Sequence, residues 1–389
     1  MDFSLTDEQA AVSEAATGLF SGLVDAERVA AVEADTERVD RELWGSLADA
    51  DLLGLGVPEE HGGAGYGLTE LGLLLEAQGG AVAPVPLWPT LVLGALPVAH
   101  FGSDAQRARW LPRVVAGEVF LTAALASSAT SPTQSPAIGA VPDGGGWRLE
   151  GTELAVPQAH VAEAVVVPAR TPDGGVVLAL VDPRAPGASL ETAFTTNREI
   201  HPHLHLSGVT LGADDVLVGP DVGRAALDFL LVAATIALCA LQVGVCETAL
   251  RTTAAYLSTR QQFGRSLSTF QGTMLRAADA AINIEAMRVT WQNAAWRFDT
   301  GRDAAQAARV AKWQASERGQ EVVHATQHLH GGLGADVSYP VHRYFLWGKQ
   351  IELLLGGPSL QLARLGAEIA EQALEEAEAA AAGLRGAAS

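Results

Sequence analysis

Cysteine is almost missing from this 389-residue chain, which carries only Cys239 and Cys246. They lie seven residues apart in one apolar run, a spacing that puts them on the same helix face about two turns apart. They read as small buried hydrophobes, and two ligands alone make no zinc site. Basic residues are also scarce: 25 Lys and Arg stand against 45 Asp and Glu, for a formal net charge of -20. Nonspecific binding to DNA or RNA needs basic side chains that displace counterions from phosphates, so no nucleic-acid partner is expected. Aromatics make up only 6% of the chain. No stretch reaches the roughly 18 consecutive apolar residues of a membrane-spanning helix. The start, MDFSLTDEQAAV, has no basic-then-apolar segment, so neither a secretory signal nor a transit peptide is visible. The expected location is cytoplasmic, with no membrane partner.

What is present is a 48% hydrophobic content spread over a length that suits two or three packed units. Up to about Gly117, apolar residues recur every three and four positions, as in LWGSLADADLLGLG and LTELGLLLEAQGG, with the Pro- and Gly-rich GVPEEHGGAGYG as the loop between helices. From Glu118 to Gly219 the pattern changes to short alternating or β-branched runs such as GWRLEGTELAV and GGVVLALVD, separated by turn residues. Beyond Asp221 helical periodicity returns in long segments. The long apolar stretch Ala225 to Leu250 is interrupted by Asp228, Gln242 and Glu247 and reads as a buried bundle helix. The expected fold is mainly α with a central β domain: an N-terminal helical domain (1–117), a small β-barrel-like domain (118–219), and a C-terminal four-helix bundle with a tail (220–389), whose last few positions should fray.

Two motifs in the third segment carry chemistry. STRQQFGRSLSTFQ places a permanently charged guanidinium, Arg260, where it suits a pyrophosphate, and HLHGGLGADVSYPVHRY offers Gly331 and Gly332 for close backbone approach. Alone, Arg-Gln-Gln-Phe-Gly is an ordinary helix end with a glycine cap. The two motifs together, with the helical–β–helical order, GLGVPEEHGGAGYGLTELGLLLEAQGG and FGSDAQRARWLPRVVAGE, resemble the acyl-CoA dehydrogenase family over nearly the whole chain. The resemblance implies FAD, shared at a subunit interface. Arg260, Gln262, Phe263, Phe270, Gln271, His328, Gly331 and Gly332 would then reach a flavin held mainly by a neighbouring chain. His328 stands where the family usually has Gln, and imidazole still donates a hydrogen bond.

The same resemblance exposes losses. The family's carboxylate base precedes a Gly-Thr pair after the YP segment; here that position is Leu355, before Gly356 and Gly357. The alternative position on the first long bundle helix falls at about Ala234. The T-E-P-x-x-G-S-D flavin stretch becomes LTAALASSATSPTQ, with the threonine and acid positions near Ala126 and Ser127, and the aromatic-x-threonine of the flavin bed becomes Ala155-Val156-Pro157. Proline also removes a backbone donor. A general base is worth roughly 10²- to 10⁴-fold in rate. The expectation is therefore a subunit without catalytic residues of its own, in an α2β2 complex with a catalytic acyl-CoA dehydrogenase subunit. Such a complex desaturates an acyl-CoA substrate, with a bulky steroid side chain as one possibility, and passes electrons to an electron-transferring flavoprotein. Two rivals remain. One is a self-sufficient homo-oligomer using Glu352, which shares a helical face with Leu355, as an unusual base; the other is a flavin-free structural or regulatory scaffold. His201, His203 and His205 alternate as three same-face residues of a strand would. With Pro202 among them and no acidic partner expected nearby, they read as strand-edge or loop residues rather than metal ligands.

Overall fold

The computed structural model describes residues 3–131 and 133–386. The fraying expected of the last few positions concerns residues 387–389, outside the described part. The chain opens with α1 (Asp7–Leu23), α2 (Ala26–Ala34), α3 (Arg41–Asp49) and α4 (Leu68–Ala81), followed by a π-helical stretch (Trp88–Ala95) that runs into α5 (Leu96–Phe101), and then α6 (Asp104–Val115). Local sequence starts these helices. Thr6 and Ser103 accept hydrogen bonds from the third residue of α1 and α6, and Gln9 and Gln106 answer in kind, closing two capping boxes.

The middle part holds β1 (Leu121–Ala123), the short α7 (Ala126–Thr130), β2 (Ile138–Asp143), β3 (Gly146–Glu153), β4 (Ala164–Arg170), β5 (Val176–Val181), β6 (Ala188–Glu191), β7 (His203–Leu211) and β8 (Val216–Val218). They form one eight-stranded sheet in the order β6-β7-β3-β2-β4-β5-β8, with β1 alongside β4. β1 and β2 run parallel to β4, and the remaining pairs are antiparallel. β4 and β5 read as unbroken apolar runs because both of their faces are covered.

The third part is α8 (Pro220–Thr259), a hairpin of β9 (Gln261–Gln262) and β10 (Arg265–Ser266), α9 (Gln271–Asp299), α10 (Ala305–Leu329), α11 (Val341–Leu353) and α12 (Pro358–Gly386). α8 passes for a membrane helix by length and composition, yet 83% of its most apolar window is buried inside the fold. Even Gln242 is fully buried there.

The first and third parts share one hydrophobic core, whereas the sheet carries a second core of its own. Small residues explain the fusion. A methyl group on Gly79 would overlap the Leu241 carbonyl, and one on Gly244 would overlap the Glu76 carbonyl. α4 and α8 therefore meet backbone to backbone, a contact that only glycine permits. The sheet is consequently a lobe set against a continuous helical body, and its edge toward that body decides what becomes of the region around Leu355.

Candidate functional site

The two glycine-bearing motifs converge at the far end of α8. The helix stops at Thr259, and Arg260 continues in extended conformation into the β9–β10 hairpin. Phe263 and Gly264 take left-handed φ of 53° and 79° at the turn, as a two-residue hairpin with the right-handed twist of its strands requires. Phe263 is 91% exposed. Its ring meets Phe270 edge to face at 6.2 Å. Ser266 Oγ donates to the Leu257 carbonyl at 2.7 Å, tying the hairpin to the end of α8.

The glycine loop lies beside it through a stack that sequence reasoning missed. Tyr256, one turn before Arg260, stacks on His330 at 4.6 Å, and Tyr339 lies 5.3 Å from the same imidazole. His330 donates from Nδ1 to the Thr326 carbonyl at 2.8 Å, and burial holds its pKa below the ordinary histidine value. Gly331 follows with φ of 61°, and an added Cβ at Gly331 or Gly332 would meet nothing within 4 Å. Arg260, Gln262, Phe263, Gln271, His328, Gly331 and Gly332 are all exposed, with Phe270 half-buried between them. A guanidinium, an exposed ring and open glycine backbone side by side suit a dinucleotide. The signal was present, since Tyr256 lies four residues before Arg260 and Tyr339 is the tyrosine of the YP segment itself; the motif pattern does not say that both meet His330.

Leu355 sits elsewhere, after the end of α11. It has a φ of 58°, uncommon for a branched residue, and is buried. The backbone around it, from Ile351 to Leu355, is held by three side chains. Lys312 Nζ donates to the Ile351 and Glu352 carbonyls at 2.8 and 3.1 Å, Ser316 Oγ donates to Glu352 O at 3.1 Å, and Gln361 Nε2 donates to Leu355 O at 3.0 Å. Lys312 is fully buried, and that burial drives its pKa down to about 8.

The Leu355 side chain lines a cavity of about 260 Å³ together with Leu231, Val232 and Thr235 of α8. The carboxylates on this cavity are Asp228, which the sequence reading took only as a break in an apolar helix, and Glu368, which it did not single out. Each already has an arginine: Asp228 lies 3.0 Å from Arg224, and Glu368 pairs with Arg309. The position read as about Ala234 faces away, its carbonyl accepting from Trp88 Nε1 at 3.1 Å while the adjacent Thr235 lines the cavity. Glu352, the suggested substitute base, is not on the cavity wall. It is buried and ion-paired with Lys349. Three residues along a helix put it on Leu355's face only while the helix continues, and α11 ends at Leu353.

The sheet edge closes the rest. Ser127, in α7, donates from both its amide and its hydroxyl to the buried Glu153, whose carboxyl burial holds above the usual range. Ala155 takes a φ of 49°, and its N–H donates to His203 Nδ1 at 3.0 Å. The amides of Val156 and Gln158 donate to Pro202 O and Ile200 O at 2.8 and 3.1 Å. The backbone donors of Ala155-Val156-Pro157 are thus spent on the segment entering β7. Across the cavity mouth, Arg364 and Arg224 donate to the carbonyls of Ser131 and Gln134 at 2.8 and 3.2 Å. The open hairpin-and-glycine end keeps the groups that suit the dinucleotide part of a flavin, whereas the donors at this end already have acceptors.

The three histidines disperse because His201 precedes β7 rather than lying in it. His203 receives the Ala155 amide, and His205 Nδ1 lies 2.9 Å from Thr152 Oγ1. Contrary to expectation, acids are near: Glu199 lies 3.1 Å from His201, and Glu191 lies 3.1 Å from His205. Among the described residues no three His, Cys, Asp or Glu converge in a metal-holding group. Cys239 and Cys246 are free thiols, both fully buried, with burial pushing the Cys239 pKa up to about 12.

Comparison with known proteins places this geometry. The model of the acyl-CoA dehydrogenase N-terminal domain matches residues 6–118, and that of the C-terminal domain matches residues 224–370. The chain is 37% identical over 384 residues to acyl-CoA dehydrogenase FadE27 of Mycobacterium tuberculosis, covering 95% of this chain and 99% of that protein. It superposes on a variant of the Tcur3481-Tcur3483 steroid ACAD with a TM-score of 0.89 at 48% identity, and on the ChsE4-ChsE5 complex from Mycobacterium tuberculosis with a TM-score of 0.88 at 36% identity. Each match covers 95% of this chain and 99% of the other.

Proposed function

The chain belongs to the acyl-CoA dehydrogenase family of FAD-dependent oxidoreductases acting on CH–CH bonds, and from that premise we propose that it is the non-catalytic subunit of a heteromeric, cytoplasmic acyl-CoA dehydrogenase. The single observation that carries this reading is the asymmetry between the two ends of the bundle. One end exposes Arg260, Phe263 and the Gly331–Gly332 backbone. The other presents Leu355 at the base position, carboxylates already paired with arginine, and backbone amides spent within the fold.

Arg260, Gln262, Phe263, Phe270, Gln271, His328, Gly331 and Gly332 hold the dinucleotide part of a flavin whose reactive ring lies in a catalytic partner. The bound FAD supplies the hydride acceptor for α,β-desaturation of a CoA thioester. This chain's residues bind and orient, and the partner's carboxylate takes the α proton. The assembly is α2β2, the acyl group is a bulky steroid side chain, and electrons leave to an electron-transferring flavoprotein. Support for the first two comes from relatives described as a steroid ACAD and as a two-component complex.

The test is co-expression with a family member that carries Glu before Gly-Thr, read by native mass and flavin absorbance. We expect two chains of each kind and one FAD per unlike pair. A homo-oligomer of this chain alone that reduces its own flavin with acyl-CoA overturns the proposal.

Leu355→Glu sharpens the point. If the base were the only loss, a carboxylate there would restore turnover to the lone chain. We expect none in a stopped-flow flavin-reduction assay, because the amides of Ala155, Val156 and Gln158 already have acceptors. Turnover in this variant would show that the closed sheet edge opens readily.

A further inference from the structure

The β9–β10 ribbon carries a second guanidinium that the family motif does not specify. Arg265 pairs directly opposite Gln262, and Ser266 opposite Gln261. Opposed residues of an antiparallel pair share a face, and residues two apart along a strand share it too. Arg260, extended immediately before β9 with its carbonyl accepting from the Leu267 amide at 2.9 Å, continues the register and so lies on the face of Gln262 and Arg265, while Ser266 on the other face is bound to the end of α8. Among the described residues, neither Arg260 nor Arg265 has a carboxylate within ion-pair distance, in a chain that carries 45 acids.

Arg265 is also pre-positioned. Its guanidinium carbon lies 3.9 Å over the centre of the Phe270 ring, the ring that Phe263 meets edge-on. Stacking of this kind holds the guanidinium plane while leaving its in-plane N–H groups free to donate. Two like charges on one short ribbon repel each other, and among the described residues no carboxylate lies within ion-pair distance to compensate them. Their natural complement is an anion of more than one charge.

Resting on the reading of this end as a flavin clamp, we propose that Arg265 is a second phosphate-binding cation, acting with Arg260 on the FAD pyrophosphate and fixing Phe270 beneath it. The pair makes the clamp selective for a diphosphate over an uncharged flavin.

The experiment uses the complex of unlike chains, stripped of flavin and titrated with FAD at several salt concentrations by flavin fluorescence, with native mass and thermal midpoint as controls. Arg265→Gln should weaken FAD about tenfold and flatten the salt dependence, as removal of a cation from a phosphate contact must. Mass and midpoint should stay unchanged. Arg265→Lys should restore the salt dependence and part of the affinity, because it returns the charge without the planar fork. The assignment falls if Arg265→Gln binds FAD like the parent while Arg260→Gln does not, or if it weakens FAD only by dissociating the unlike chains. If Arg260→Gln is equally silent, the clamp reading itself falls.

Discussion

Arg260→Gln in the complex of unlike chains should release FAD, weakening its binding by about 100-fold or more while the chains stay associated. The side chain lies on the surface after the end of α8. Its amide, not its guanidinium, makes the local structural contact, donating to the Tyr256 carbonyl at 2.9 Å. Glutamine keeps that backbone bond and removes only the charge and the fork. Equilibrium dialysis of FAD against parent and variant complexes, with native mass as the control, gives the answer. FAD held as tightly by the variant as by the parent would mean that this end of the bundle does not hold the cofactor.

The second large effect concerns the segment that carries Leu355. Lys312→Ala should destabilise the chain by about 3 kcal/mol, because it leaves a void at a fully buried site and strips the Ile351 and Glu352 carbonyls of their donor. Lys312→Met separates charge from volume. Burial lowers the folded-state pKa to about 8 from 10.5, against the weaker pull of Cys239 and Glu352. A lysine depressed in this way burdens the folded state with a desolvated charge below about pH 8. As pH rises from 8 toward 10.5, the unfolded chain retains the proton that the folded chain has lost, so stability rises with pH through that window. Lys312→Met refills the void but still strips the buried Ile351 carbonyl of its donor, so it should lie about 1–2 kcal/mol below the parent at pH 7, less than the alanine variant. It should fall further behind the parent as pH climbs through the window. Urea unfolding of both at pH 7, 8.5 and 10 reads this directly, and parallel pH profiles would show that Lys312 is not the buried cation described.

Much of the arrangement was legible without coordinates. Periodicity of three to four placed the helices on both sides, alternation and β-branching placed the sheet, and the spacing of Arg-Gln-Gln-Phe-Gly and His-Gly-Gly picked out the two loops that Tyr256 and His330 bring together. Such readings succeed because they depend on neighbours along the chain. The Glu352 suggestion depended instead on where the chain goes next. It assumed a helix running through Leu355, whereas α11 stops two residues earlier and the backbone turns left-handed.

By itself, then, the sequence determined the order of helical and β parts, the family, the absence of a carboxylate at position 355 and the charge available at Arg260. Those are properties of residue identity and local spacing. Tertiary structure alone decided that α4 and α8 fuse two helical parts into one core through Gly79 and Gly244, that Glu368 reaches the Leu355 cavity already paired with Arg309, and that the amides of Ala155, Val156 and Gln158 are consumed by the segment entering β7. Each of these joins residues tens to hundreds of positions apart. Whether a donor is free or spent depends on what folds against it, which no local pattern records.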